Sequence, residues 1–138
     1  MDIKDKLESL ATSYGWRFVH ARRDYANLTD ALAFVEDEAQ KYGVGETILF
    51  LDPVVRDGTK TDGIGYSGNF FVVTISDLDD TYENKHKNFI EPLLPILLEE
   101  FRNKLRCLYS INQWKSIPII NLFDINCDGL NITFNLKA

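Results

Sequence analysis

Apolar residues at the start of the chain recur at helical spacing. Ile3, Leu7, Leu10, Ala11 and Tyr14 share one face, and Gly15 follows where a helix commonly ends in a left-handed turn. The period then drops to two, with Trp16, Phe18 and His20 on one side and Arg17, Val19 and Ala21 on the other, predicting a short strand over 16–22. Asn27 can cap a second helix whose stripe is Leu28, Ala31, Leu32, Val35 and Ala39, running to Tyr42 before Gly43 and Gly45 stop it. Residues 47–55 read as a buried strand in which Pro53 marks an edge position or a bulge. Strand character resumes at 70–76, and the two strands are expected to pair antiparallel around a long-tipped hairpin. Phe89, Leu93, Leu97, Phe101 and Leu105, with Ile90, Leu94 and Leu98 beside them, form the longest helix, reaching about Leu108. Pro92 and Pro95 predict a kink or a fresh start near Glu91.

A polar stretch with Asn112, Gln113 and Lys115 precedes I-P-I-I-N-L-F-D-I-N, which regains strand character and leads into D-I-N-C-D-G at 124–129. These six residues match the opening of an EF-hand calcium loop. That reading needs a bidentate glutamate at the last loop position, where this chain has Asn135, and it needs flanking helices where both flanks alternate with period two. A β-hairpin fits the pattern better, with Asp128 and Gly129 at the centre of a type I′ turn. Cys127 then faces Leu130, Ile125 faces Ile132 and Phe123 faces Phe134 on an apolar side, while Asn126 faces Asn131 and Asp124 faces Thr133 on a polar one.

The elements together predict one α+β domain over 1–138, with a small antiparallel or mixed sheet, helices packed on one face, and the order α-β-α-β-β-α-β-β. Length and a 45% hydrophobic content suit a single core. The stretch 56–69 holds Gly58, Gly63, Gly65 and Gly68 and is expected to be a long flexible loop. A net charge of -6 is the wrong sign for a protein that grips nucleic acid by counterion release. Charged residues among the first nine argue against a signal peptide, and no apolar run is long enough for a membrane span. Cys107 and Cys127 lack C-x-x-C spacing and read as small core residues in a reducing compartment.

Candidate chemistry is sparse. His20 and His86 sit in no recognisable nucleophile motif and read as structural. Glu46, Asp52, Asp57 and Asp62 offer the makings of a metal-dependent nuclease or small hydrolase, with Asp52 and Asp62 as metal ligands, but the pattern is nonspecific and solvated loop carboxylates are the better account. The loop glycines match no phosphate-binding fingerprint. No catalytic residue, cofactor or bound metal is expected.

The run G-N-F-F-V-V-T-I-S-D-L-D-D at 68–80, I-E-P-L-L-P-I-L-L-E-E-F at 90–101, F-L-D-P-V-V at 50–55 and the final I-N-L-F-D-I-N-C-D-G-L-N-I-T-F-N-L carry a resemblance over nearly the whole chain. In pattern and order they resemble the tail-terminator and tail-completion proteins of tailed bacteriophages. They are also similar to small structural proteins of phages of Bacteroidota, including the crAss-like group. The resemblance implies a non-enzymatic virion protein, made in the bacterial host cytoplasm, in a ring of twelve or six copies in the head-to-tail connector or tail. Its neighbours would be portal, connector or tail proteins, and DNA would pass through the lumen without sequence-specific binding. An acidic ring suits that passage, because it repels phosphates. Asp57, Lys60, Asp62 and Tyr66 in the loop, with Asp77, Asp79 and Asp80 in the acidic turn 77–83, are the expected subunit contacts. A stand-alone adaptor that binds a peptide or an edge strand is the remaining alternative.

Overall fold

A computed structural model of the chain describes residues 2–20, 43, 45–58, 63–75, 81–119 and 127–138. Its first element is α1 (Ile3–Ser13), which buries Ile3, Leu7, Leu10 and Ala11 as the spacing requires. Asp2 caps it by accepting a hydrogen bond from the Lys4 amide at 2.9 Å. At the other end Gly15 takes φ 75°, and the Gly15 and Trp16 amides donate to the Thr12 and Ala11 carbonyls at 3.0 and 2.9 Å. This is a Schellman closure, and it delivers the chain directly into β1 (Arg17–His20).

The remaining strands are β2 (Thr47–Leu51), β3 (Val55–Asp57), β4 (Gly65–Ile75), β5 (Ser110–Ile119) and β6 (Cys127–Lys137). They build a mixed six-stranded sheet in the order β1-β2-β4-β6-β5, with β3 paired to β4 beyond the end of β2. Only β1 and β2 run parallel among the described pairs. The architecture is α+β, and the antiparallel pairing of β2 with β4 follows the sequence reading. Pro53 lies in the break between β2 and β3, where the missing N–H removes no ladder bond. The second helix expected over 27–42 falls outside the described residues.

Residues 82–105 form one helical stretch in five pieces. These are α2 (Tyr82–Lys85), a π-helical turn (His86–Ile90), α3 (Leu93–Pro95), a second π-helical turn (Ile96–Glu100) and α4 (Phe101–Leu105). The prolines explain the widened turns. Neither has an N–H to give, and each ring would press on the carbonyl four residues back, so the helix opens around them. The Glu91 amide reaches back to the His86 carbonyl at 2.9 Å, and the Leu94 amide serves the Glu91 carbonyl that Pro95 cannot reach. Similarly the Phe101 amide bonds Ile96, and the Leu97 carbonyl accepts the Trp114 indole N–H at 3.0 Å. The fresh start expected near Glu91 is present: turn residues 91–92 separate the first π-turn from α3, which begins at Leu93.

Both α1 and this helical stretch pack on one face of the sheet. There Leu7, Leu10, Leu97, Phe101 and Leu105 meet Leu49, Leu51, Phe70, Val72, Leu130, Ile132, Phe134 and Leu136 in a single apolar cluster. Phe101 is fully buried at its centre, within ring-stacking reach of Tyr14, Trp16 and Phe70. A buried ion pair joins α2 to β6, in which Lys85 Nζ sits 3.2 Å from Asp128 Oδ2 with 1% and 0% of the two side chains exposed.

That pair overturns the terminal turn expected from the sequence. Asp128 and Gly129 are not turn residues but lie inside β6, opposite Thr74 and Val73 of β4. The partners of Leu130, Ile132 and Phe134 on β5 are Pro118, Ser116 and Trp114, and those of Asn131 and Thr133 are Ile117 and Lys115. The expected pairings of these residues with Cys127, Ile125, Phe123, Asn126 and Asp124 therefore do not form. The β5–β6 connection falls within 120–126, outside the described residues. The polar run at 112–115 is strand, because β5 is the last of the described strands in the sheet and turns polar residues such as Asn112 and Lys115 to solvent. The calcium reading fails with the same register: the Asp128 carboxylate is buried against Lys85, and residues 129–135 are strand. The loop at 56–69 is likewise shorter than expected, because β3 and β4 pair across it from Val55 with Ser67 to Asp57 with Gly65.

Candidate functional site

Period-two alternation along β6 sends Leu130, Ile132, Phe134 and Leu136 into the core and Asn131, Thr133 and Asn135 to the opposite face of the sheet. Register then fixes their neighbours. Asn135 lies between Ser67 of β4 and Gln113 of β5, Thr133 between Asn69 and Lys115, and Asn131 between Phe71 and Ile117. The outcome is a half-buried field of amides and hydroxyls with Lys115 exposed beside it, continued past Asn131 by the buried Phe50, Val73 and Ile48 on the same face. Thr133 Oγ1 donates to Asn69 Oδ1 at 2.7 Å, and Asn112 Nδ2 donates to Asn135 Oδ1 at 3.4 Å. Asn131 Oδ1 is buried without a hydrogen-bond partner, an acceptor that a buried site normally satisfies.

Exposed apolar residues flank this field. Ile117 on β5 is 62% exposed and Val55 on β3 54% exposed. Since β5 ends the sheet, its outer edge presents backbone groups to which no described strand pairs. Lys115 and Pro118 on that strand are the residue types that discourage indiscriminate edge pairing. An edge, a hydrogen-bonding face with few charges and an exposed isoleucine together form a surface suited to another protein rather than to a small substrate.

The residues expected as subunit contacts fare unevenly. Asp57 ends β3 opposite Gly65 and is half-buried. Tyr66 is a strand residue of the core face, 6% exposed and edge-to-face with Tyr109 at 5.8 Å, so it offers no loop surface. Burial pushes the Tyr109 phenol up to about 12, with the neighbouring Tyr66, Asp2 and Asp5 adding to the shift. Lys60, Asp62, Asp77, Asp79 and Asp80 lie outside the described residues, while Thr81 and Glu83 form the exposed entry to α2.

The metal constellation does not assemble from what is described. Glu46 and Asp52 stand at opposite ends of β2, roughly 20 Å apart at the usual strand rise. Among the described residues no group of three or more histidine, cysteine, aspartate or glutamate side chains could hold a metal ion. Asp52 is half-buried, and burial holds its carboxyl above the usual range. Cys107 corrects another expectation: it is exposed and free, because it falls off the inward stripe that ends at Leu105. The side chain of Cys127 is outside the described set.

Sequence reading gave no weight to Asp2 and Arg56. Arg56 Nε and Nη2 donate to Asp2 Oδ2 and Oδ1, each at 2.9 Å, clamping the start of α1 to β3. This fork holds the Asp2 carboxyl below its ordinary value, helped by the Lys4 amide and nearby His20 and opposed by partial burial. The spacing of 54 residues leaves no local signal by which it could have been found.

No protein-family model matches this chain, and neither a curated protein nor a solved structure is significantly similar to it.

Proposed function

We propose that this chain is a non-enzymatic structural protein of a tailed bacteriophage, a ring component of the head-to-tail connector or tail. On this reading it is similar to tail-terminator and tail-completion proteins, and DNA passes through the lumen of the ring. Two things support the reading: the order of segments in the sequence, and the surface of the β4–β6–β5 face. The second carries the argument. A half-buried field of amides and hydroxyls beside a strand edge to which no described strand pairs is a surface that a protein partner can cover. It carries too little positive charge to hold a DNA backbone.

A closed ring needs two different patches on each subunit, because its interfaces are heterologous. The sheet supplies two unlike flanks, with β5 at one end and β1 at the other. A net charge of -6 per subunit would line such a ring with a field that lets the duplex slide. Native mass spectrometry and electron microscopy of the purified chain, alone and within particles, test the assignment. The expected result is a symmetric multimer of six or twelve copies. A chain that stays monomeric at every concentration and is missing from purified particles would overturn it.

A further inference from the structure

The helical stretch presents two flanks beside the row Leu97, Phe101 and Leu105 that it buries on the sheet. One flank is taken by α1: Glu100 Oε2 accepts the Tyr14 hydroxyl at 2.9 Å, and Lys104 Nζ lies over the Tyr14 ring. Leu98 and Arg102, one residue on from Leu97 and Phe101, with Leu94 a turn earlier, therefore stand on the other flank, toward β5. The Trp114 indole on the Leu97 carbonyl ties β5 to this side, and Leu94, Leu98, Ile111 and Trp114 are only partly buried there. Arg102 closes the strip. It is half-buried, and among the described residues no carboxylate or carbonyl pairs with its side chain, Glu99 a turn earlier included. Nε is enclosed, whereas the terminal nitrogens of the fork reach the surface.

The outer edge of β5 borders the same strip, and register fixes which of its backbone groups point outward. The Asp52 amide donates to the Asn69 carbonyl at 3.0 Å, so Asn69 faces β2 and its neighbour Phe70 faces β6. Alternation then turns Asn131 and Thr133 toward β5, with Ile117 and Lys115 as their partners. The outward groups belong to Trp114, Ser116 and Pro118, where the missing proline N–H removes no bond within the sheet. No described strand pairs with them.

We propose that an extended segment of a protein partner adds to the sheet along the outer edge of β5, antiparallel to it, with apolar side chains on Leu94 and Leu98 and a carboxylate on Arg102. Main-chain bonds to Trp114 and Ser116 hold such a segment, and its alternate side chains meet the helix flank. Direction follows from the packing. Lys85 lies against Asp128 near the start of β6, and Tyr109 lies against Tyr66, opposite Leu136 near its end, so the helical stretch runs along β6. A segment antiparallel to β5 runs the same way and passes Leu94, Leu98 and Arg102 in that order. Two strand residues rise about 6.6 Å and one helical turn about 5.4 Å, close enough for three successive contacts. The segment therefore reads apolar-x-apolar-x-acidic from its N-terminal end. The carboxylate is selected because a guanidinium fork takes it with two hydrogen bonds, which a neutral amide cannot match in strength. A single chain presents this strip, so the inference does not rest on the ring reading.

The probe is the doubly capped peptide Thr-Val-Thr-Leu-Thr-Glu-Thr, titrated into the full chain with the Trp114 indole N–H and the Ser116 amide as NMR reporters. The indole of Trp16, stacked on Tyr14 at the α1 side, is the control for folding. Saturable shifts at both reporters with Trp16 unmoved are expected. Replacing the peptide's Glu by Gln should weaken binding about tenfold. Arg102→Gln should weaken the glutamate peptide about tenfold and leave the glutamine peptide as it was, the signature of one charge-assisted contact. A peptide with Val and Leu each shifted one position against Glu turns them away from the helix and should bind several-fold more weakly. No saturable shift at millimolar peptide, equal binding of the glutamate and glutamine peptides, or indifference to Arg102→Gln would each overturn the proposal. So would an edge closed by a second copy, seen as a dimer that Arg102→Gln disrupts.

Discussion

Gly129 occupies the middle of the sheet, between Val73 of β4 and Ile119 of β5, where the strand backbones leave no space for a side chain. A Cβ there would overlap the Val72 carbonyl oxygen, so Gly129→Ala is expected to cost about 1–3 kcal/mol or more in urea denaturation. Gly68→Ala is the contrast: its nearest neighbour, Phe134 Cζ, stands at an ordinary 3.5 Å, and a loss within about 1 kcal/mol should follow. Two carboxylates make opposite predictions about pH. Pairing with Arg56 depresses the Asp2 carboxyl below 3.8, so its stabilisation is complete above that pH and is lost as pH falls through the depressed folded value. Asp2→Asn keeps a capping oxygen and removes the charge. It should cost less than about 1 kcal/mol at neutral pH, because the pair is partly exposed, and nothing once the pH lies below the depressed folded value. Asp52 behaves in reverse. Burial raises its carboxyl above 3.8, so the ionised form strains the fold at neutral pH and the strain disappears as pH falls below that value. Thermal melts of Asp52→Asn should therefore show a gain at pH 7 that vanishes in acid.

At the scale of elements, the Lys85–Asp128 pair joins the first turn of the helical stretch to β6 and fixes which residues of β6 stand where. Removing one partner takes away the ion pair that offsets burial of the other charge, so Lys85→Met alone should lose about 3–5 kcal/mol, and Lys85→Met with Asp128→Leu should recover most of it. A double-mutant cycle in denaturant measures the difference. This contact also explains what the sequence could not reveal. Local periodicity was enough for α1, for the alternation of β1 and for placing β2 and β4, because each pattern is set by neighbours within a few residues. The antiparallel pairing of β2 with β4 follows from a simple return of the chain. D-G at 128–129 has the composition of a tight turn, and nothing local opposes that reading. The deciding interactions are remote: Lys85 lies 43 residues away, and the close approach of Val72 is visible only once strands are paired. The polar face was hidden for the same reason, since Asn69, Asn131 and Asn135 become neighbours only through register.

For the whole molecule, the question is whether the polar face and the β5 edge are buried by another subunit. Ile117 is the residue that separates the alternatives, because it is 62% exposed in the single chain and sits beside Asn131, whose carbonyl oxygen lacks a partner. An exposed isoleucine contributes little to the stability of one chain, so Ile117→Lys should leave its thermal unfolding within about 0.5 kcal/mol of wild type. If the same side chain lies in the core of a subunit interface, lysine there must be desolvated, and each contact around the ring carries that cost. The multimer should then dissociate at protein concentrations where wild type remains assembled, read by analytical ultracentrifugation. Glu99→Lys, a lysine placed on the exposed side of the helical stretch, adds two units of positive charge against one and so controls for charge with a margin. Disassembly by Ile117→Lys with assembly intact in Glu99→Lys would place the interface on the polar face. Equal behaviour of the two variants would move it to the other surfaces of the sheet.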